Sequence, residues 1–325
     1  MAHPRPHSAR TVPRRPRAAR AARNGRPRAL RGVAPVIRVD APGLLTTVQD
    51  LGRPGCAHLG VSASGAADAL ALRIGNRLVG NPENTPALEM TLTGGVFAFA
   101  SETVIALTGS DFGAPLWKPF VLRAGESLRL GSTRSGARCY LSVRGGIDAP
   151  RVLGSASTHV LSGLGGRPLR KGDVLAVGPE PAQAPLWRGV TWREDRLAPL
   201  RVTRGPQADW FASDLGGRLY QVKEESNRMG LRLSGPKIER IRPGDLLTEG
   251  VPLGAIQVPP EGEPVILFVE HQTTGGYPKI AAVVSADLWR VGQLRPRDEV
   301  RFENETMEEA LALLRAQEAW IRALG

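Results

Sequence analysis

The chain has 325 residues and a formal net charge of +12, but the excess sits at one end: residues 1–34 hold ten arginines and no acidic residue, so the rest is nearly neutral. A neutral body argues against nucleic-acid binding by the folded part, and no apolar run approaches the roughly 20 residues that a bilayer span needs. Glycine (38) and proline (27) are plentiful and sustained helical periodicity is scarce, which points to short strands joined by tight turns.

Residues 1–34, rich in Pro, Arg and Ala, cannot bury a core and are expected to be disordered. They lack the apolar segment of a secretory signal. Cys56 and Cys139 are too few for a multi-thiolate site and read as free thiols of a cytoplasmic protein. His3, His7, His58, His159 and His271 show no metal-ligand spacing, so no metal site is expected.

After the tail, residues 36–39 read as a strand. The turn-rich stretch APGLLTTVQDLGRPG (41–55) then gathers Gln49, Asp50 and Arg53. A helix is expected within residues 60–89. Ser64 is its expected N-cap, Leu70, Ile74 and Leu78 make one apolar stripe, and Gly80 and Pro82 stop it. Apolar runs at 96–99, 103–107, 127–130 and 138–143 have strand-like spacing.

One design recurs. LRAGESLRLG (122–131), LRKGDVLAVG (169–178) and IRPGDLLTEG (241–250) each place an apolar–Arg–x–Gly–acid turn before an alternating run, and LRPRDEVRFE (294–303) is a weaker copy. Two copies fall on each side of a proline-rich break. The expected organisation is therefore a β-rich half over 35–180, a linker over 181–199 and a second β-rich half over 200–325. The second half opens with a strand at 200–203 and a short helix within 207–214. It closes with a helix over 307–324, capped by Thr306 and Glu309.

The most unusual stretch is FVEHQTTGGYPKIAAVVSAD (268–287). Two apolar runs, 265–269 and 280–284, flank Gln272, Thr273, Thr274, Gly275, Gly276, Tyr277 and Lys279, which reads as a hairpin turning at the paired glycines. Two readings fit: a turn whose threonines satisfy their own backbone, or the wall of an anion site lined by glycine N–H groups and Lys279. Arg53 and Arg228 each sit between turn residues, which suits either a bidentate carboxylate clamp or a fastener for loop carbonyls. Asn227 and Gln257 complete the polar clusters. The chain has no P-loop, no nucleophile elbow and no biotin-attachment tripeptide.

At these residues the chain resembles the biotin-dependent carboxyltransferase family. The resemblance rests on GLLTTVQDLGR (43–53), SGAADALALRIGNRLVGNPEN (64–84), ALTGSDFGA (106–114), RGGID with VLGS (144–155), SNRMG (226–230), EGVPLGAIQVPP (249–260) and QTTGGYPKIA (272–281). It implies a mainly β fold of two cyclophilin-like barrel halves with a few short helices and a C-terminal helix. It implies the work of the C component of a 5-oxoprolinase, opening 5-oxoproline to glutamate together with the A and B subunits, with ATP as the cofactor of the complex. The alternatives it carries are carboxyl transfer to urea or another small amide from biotin on a separate carrier, and a binding protein that antagonises a kinase inhibitor.

Under the resemblance, Lys279, Arg228 and Arg53 are expected as catalytic residues. Gln49, Asn227, Gln257, Gln272, Thr273, Thr274, Gly275, Gly276 and Tyr277 are expected to bind the substrate, a small amide or carboxylate. The chain departs from the family pattern at Ala67, where Met is usual, and at Glu270-His271, where Asp-Arg is common. Its segments between Gly113 and Trp117 and between Leu164 and Arg170 are shorter.

Overall fold

The computed structural model describes residues 36–181, 188–192, 195, 197–244 and 246–324. The expected disordered tail, and residues 182–187, 193, 194 and 196 of the expected linker, lie outside the described residues.

The recurring turn is built the same way at each copy the structure describes. In the first, Arg123 N–H donates to Glu126 Oε2 (2.8 Å) and Glu126 N–H returns to Arg123 O (3.0 Å). Arg170 and Asp173 repeat the exchange at 2.8 and 3.1 Å, and Arg295 and Asp298 at 2.9 and 3.1 Å. The acid thus satisfies the first N–H of its own turn, and the residue before it must take a left-handed conformation. Gly125 (φ 83°) and Gly172 (φ 91°) do so without strain; in the weak copy Arg297 is forced to φ 71°.

Among the described residues, the first half has ten strands: Val36–Ala41 (β1), Leu45–Gln49 (β2), Ala87–Thr91 (β3), Val96–Phe99 (β4), Thr103–Gly109 (β5), Pro119–Leu122 (β6), Ser127–Arg129 (β7), Arg138–Val143 (β8), Ile147–Asp148 (β9) and Val174–Val177 (β10). They form two five-stranded sheets, in the orders β7-β4-β1-β10-β9 and β2-β3-β8-β5-β6. Inward residues of both, including Ile37, Phe97, Met90, Leu107 and Leu141, pack into one buried core. The short links from β1 to β2 and from β4 to β5 pass from one sheet to the other, so the sheets wrap a common interior.

The second half adds Leu200–Arg204 (β11), Tyr220–Val222 (β12), Gly230–Ser234 (β13), Glu249–Gly250 (β14), Ala255–Gln257 (β15), Val265–Leu267 (β16), Thr274–Gly275 (β17), Lys279–Val283 (β18), Glu299–Val300 (β19) and Phe302–Asn304 (β20). Eight of them form one sheet in the order β19-β12-β13-β16-β15-β18-β11-β20. Its two outermost strands, β19 and β20, are separated in sequence only by Arg301, so the two ends of the sheet must meet. The sheet is a nearly closed barrel around Val202, Leu233, Ile256, Ile266 and Phe302.

Three α-helices are described: Ala69–Leu78 (α1), Leu288–Gln293 (α2) and Met307–Ala323 (α3). The α1 stripe of Leu70, Ile74 and Leu78 is buried as its spacing predicts. The cap is not Ser64: Asp68 accepts from Ala71 N–H (2.8 Å), while Ser64 stands four residues before it in the left-handed region (φ 56°). Thr306 and Glu309 form the expected capping box of α3. The segment 207–214 yields only one 3₁₀ turn, Ala208–Trp210. Within the expected linker, Trp192 is anchored rather than loose, its ring 5.3–5.5 Å from those of Trp117, Trp289 and Trp320.

Candidate functional site

The 268–287 stretch is not a hairpin. Strands β16 and β18 both pair with β15, which lies between them. The chain between them detours outward, and Thr274–Gly275 pairs instead with Glu249–Gly250. Gly275 and Gly276 are absent from the left-handed region, so they make no tight glycine turn. Gly275 has a different reason to lack a side chain: a Cβ there would stand 2.9 Å from Gln257 Nε2 and 3.4 Å from Gln272 Nε2.

Those two amides line a cleft. Gln272 Nε2 donates to Gln257 Oε1 (3.3 Å), and Gln257 Nε2 donates to the Tyr277 carbonyl (3.3 Å). With Asn227, Arg232 and Tyr277 they surround a cavity of about 150 Å³ floored by Met229 and Leu267. Met229 also borders two larger cavities, one of about 410 Å³ reaching Arg138 and Arg228, the other of about 620 Å³ reaching His159 and His271. The structure therefore brings Asn227, Gln257, Gln272 and Tyr277, four of the residues singled out in the sequence, to one cleft. Thr273 and Thr274 belong to the strand detour at its edge, where Thr273 O accepts from Val251 N–H (3.1 Å).

The three cations singled out in the sequence are all engaged elsewhere. Arg228 is 6% exposed; its Nη1 bonds Glu89, its Nε bonds Glu270, and its Nη2 donates to Gly65 O (2.6 Å). Burial disfavours its charge, but the two carboxylates outweigh burial and hold its pKa above the ordinary arginine value. Tyr140 donates to the second oxygen of Glu89 (2.7 Å), and burial followed by that carboxylate pushes the phenol well up, so it stays protonated. Lys279 bonds Glu249, which also accepts from Gln207 Nε2 (3.1 Å). Arg53 is 1% exposed and fastens the Ser157 and Val152 carbonyls; its Nη1 has no partner. Gln49 lies on β2 rather than in a turn, donating to Thr158 O (2.9 Å). Neither Arg228 nor Lys279 is an open clamp, because an acid distant in sequence reaches each first.

At this cleft the open cation is Arg232. Its backbone is held by Ser226, yet its guanidinium has no hydrogen-bond or ion-pair partner among the described residues. Its only signal in the sequence is the alternation of β13, where Leu231 and Leu233 face the core and Arg232 faces out. His159 and Glu270 were likewise missed as cleft residues, since nothing local marks them. His271 is buried, and burial holds its imidazole below the ordinary pKa, so the ring is neutral near pH 7.

Among the described residues no group of three or more His, Cys, Asp or Glu is placed to hold a metal. The glycine-rich loop around residue 165 does not fit a triphosphate. Gly163 and Gly166 N–H groups are spent on His159 O and Gly163 O, and a Cβ on Gly165 would strike Ser157 O at 2.2 Å. The loop is pressed onto the protein and leaves no cradle for phosphates.

With this geometry in place, comparison with known proteins is specific. The family profile described as carboxyltransferase domain, subdomain A and B, matches residues 59–304. The chain is 37% identical over 308 residues to the C component of 5-oxoprolinase from Escherichia coli, covering 89% of this chain and 98% of that protein. It is 36% identical over 323 residues to urea amidolyase of Saccharomyces cerevisiae, but there it spans 18% of the protein. The crystal structure of the K. lactis urea amidolyase superposes with a TM-score of 0.83 at 34% identity, over 90% of this chain and 20% of that one.

Proposed function

The chain belongs to the family of carboxyltransferase domains, subdomain A and B, and from that premise we propose that it is the C component of an ATP-dependent 5-oxoprolinase. In this reading it hydrolyses 5-oxoproline to glutamate together with the A and B subunits, in the cytoplasm. The observation that carries the reading is the cleft: one unpaired guanidinium, Arg232, beside the carboxamides of Asn227, Gln257 and Gln272 over an apolar floor. That set matches a small ligand bearing one carboxylate and one amide.

Arg232 takes the carboxylate, Asn227 and Gln257 flank it, and Gln272, which borders both this cavity and the one of about 620 Å³, turns the amide toward the latter. Gly275, Gly276, Thr273 and Thr274 give the edge its shape, and Tyr277 rims it. Arg228 and Lys279 act as positioning residues, the first by fixing Glu89 and Glu270, the second by fixing Glu249 and with it the β14–β17 pair. Arg53 and Gln49 hold the 157–158 segment behind the cleft. ATP is handled by the partner subunits. The test is co-expression with candidate A and B subunits and an assay of glutamate release from 5-oxoproline and ATP. ATP-dependent release supports the reading; its absence from an intact assembly overturns it.

The close superposition on urea amidolyase favours one second reading, carboxyl transfer to urea from biotin on a separate carrier. It predicts turnover with urea that avidin abolishes, and no glutamate from 5-oxoproline.

A further inference from the structure

The cavity of about 620 Å³ beside Met229 is bordered by two histidines whose tautomers are fixed in opposite senses. His271 Nδ1 lies 2.6 Å from the Gln272 carbonyl. A carbonyl oxygen only accepts, so Nδ1 carries the proton and Nε2 keeps its lone pair. His159 Nδ1 receives the Ser162 backbone N–H at 3.1 Å. An amide N–H only donates, so here Nδ1 is the acceptor, the Ser162 hydroxyl at 2.9 Å donates to it as well, and the proton is on Nε2. Neither Nε2 has a partner among the described residues. The hydroxyl of Ser62, on the same wall and 6% exposed, is buried without a partner as well.

One imidazole therefore offers an acceptor and the other a donor to the same space. We infer that His271 and His159 recognise the edge of a cis amide: the ligand N–H donates to His271 Nε2, and its carbonyl accepts from His159 Nε2–H. A lactam presents both groups on one side, as does urea; an extended secondary amide points them in opposite directions and cannot satisfy both. Burial of His271, which keeps its ring neutral, preserves the acceptor at neutral pH. Glu270 lies on the same wall, with Oε2 accepting from Val160 N–H (3.1 Å) and standing 4.0 Å from His159 Nδ1, so it leaves both Nε2 atoms free. This inference rests on the small-amide reading above and names the groups that would tell an amide from its isosteres.

The test compares 5-oxoproline with the lactone in which its ring N–H is replaced by oxygen. Both are titrated calorimetrically into the full chain and into its assembly with A and B subunits. Wild type is expected to prefer the lactam about tenfold or more, the usual consequence of leaving a polar group of the site unpaired. His271→Phe should bring the ratio close to one, and His271→Gln, which restores an acceptor oxygen, should recover part of it. His159→Phe should weaken both ligands by a similar factor, since both retain the carbonyl. A merely structural histidine would shift the two ligands together in every variant. A wild-type ratio in folded His271→Phe and His271→Gln, or no binding of either ligand to chain and assembly, overturns the inference. Glutamate release separates the two failures. Release that persists with an unaltered ratio in the variants removes only the histidine pair. A ratio that collapses in an assembly that never releases glutamate removes only the oxoprolinase reading.

Discussion

Arg228, just ahead of β13 in the barrel of the second half, bonds directly to the carboxylate of Glu89 on β3 of the first half. The guanidinium is also bonded to Glu270, and all three groups are buried. The seam between the two β-rich halves is thus held by charge rather than by apolar packing alone. Such a triad has a characteristic energetic signature, because its parts cannot be removed singly without stranding a buried charge.

Arg228→Met is accordingly expected to destabilise the protein by about 3–5 kcal/mol, read from urea denaturation. Adding Glu89→Gln and Glu270→Gln to the same chain should recover part of that loss, since neither carboxylate is then left charged without Arg228, and only Arg138, 3.8 Å from Glu89, loses an ionic partner. Equal instability of the single and triple variants would contradict the account.

Arg232→Gln should behave in the opposite way. The side chain has no partner to lose, so the midpoint of thermal unfolding should stay within the effect of a surface change, about 0.5 kcal/mol. In the assembled enzyme KM for the carboxylate substrate should rise about tenfold or more, with kcat much less affected. A normal KM would remove Arg232 from the site.

His271 makes stability depend on pH in a stated direction. Burial keeps its folded-state pKa below the ordinary value of about 6.5. Below pH 6.5 the unfolded chain therefore binds a proton more readily than the folded one, and stability is lost as pH falls toward the folded-state pKa. Between pH 7.5 and 5.5, wild type should lose more thermal stability than His271→Gln. An identical pH profile for the two would exclude this contribution.

The two thiols should differ in reactivity. Cys139 is fully buried in β8 and burial raises its pKa, so little thiolate exists to react; Cys56 is partly exposed. A thiol reagent should label one cysteine per native chain and two in denaturant. Mass spectrometry of the labelled peptides identifies which.

What the sequence determined by itself was whatever closes within a few residues. The Arg–x–Gly–acid turns, the Thr306–Glu309 capping box and the Leu70–Ile74–Leu78 stripe all draw their partners from their own turn or helix, so composition and spacing were enough. The family motifs likewise named the cleft residues Asn227, Gln257, Gln272 and Tyr277. The tertiary structure alone decided the strand order that inserts β15 between β16 and β18 and so abolishes the expected hairpin. It alone decided which charges were already spent: Glu89 reaches Arg228 across 139 residues of sequence and Glu249 reaches Lys279 across 30, whereas no acid reaches Arg232. The physical reason is that a buried charge must find a partner wherever the fold brings one close, and closeness across sheets is a property of topology that no local pattern records.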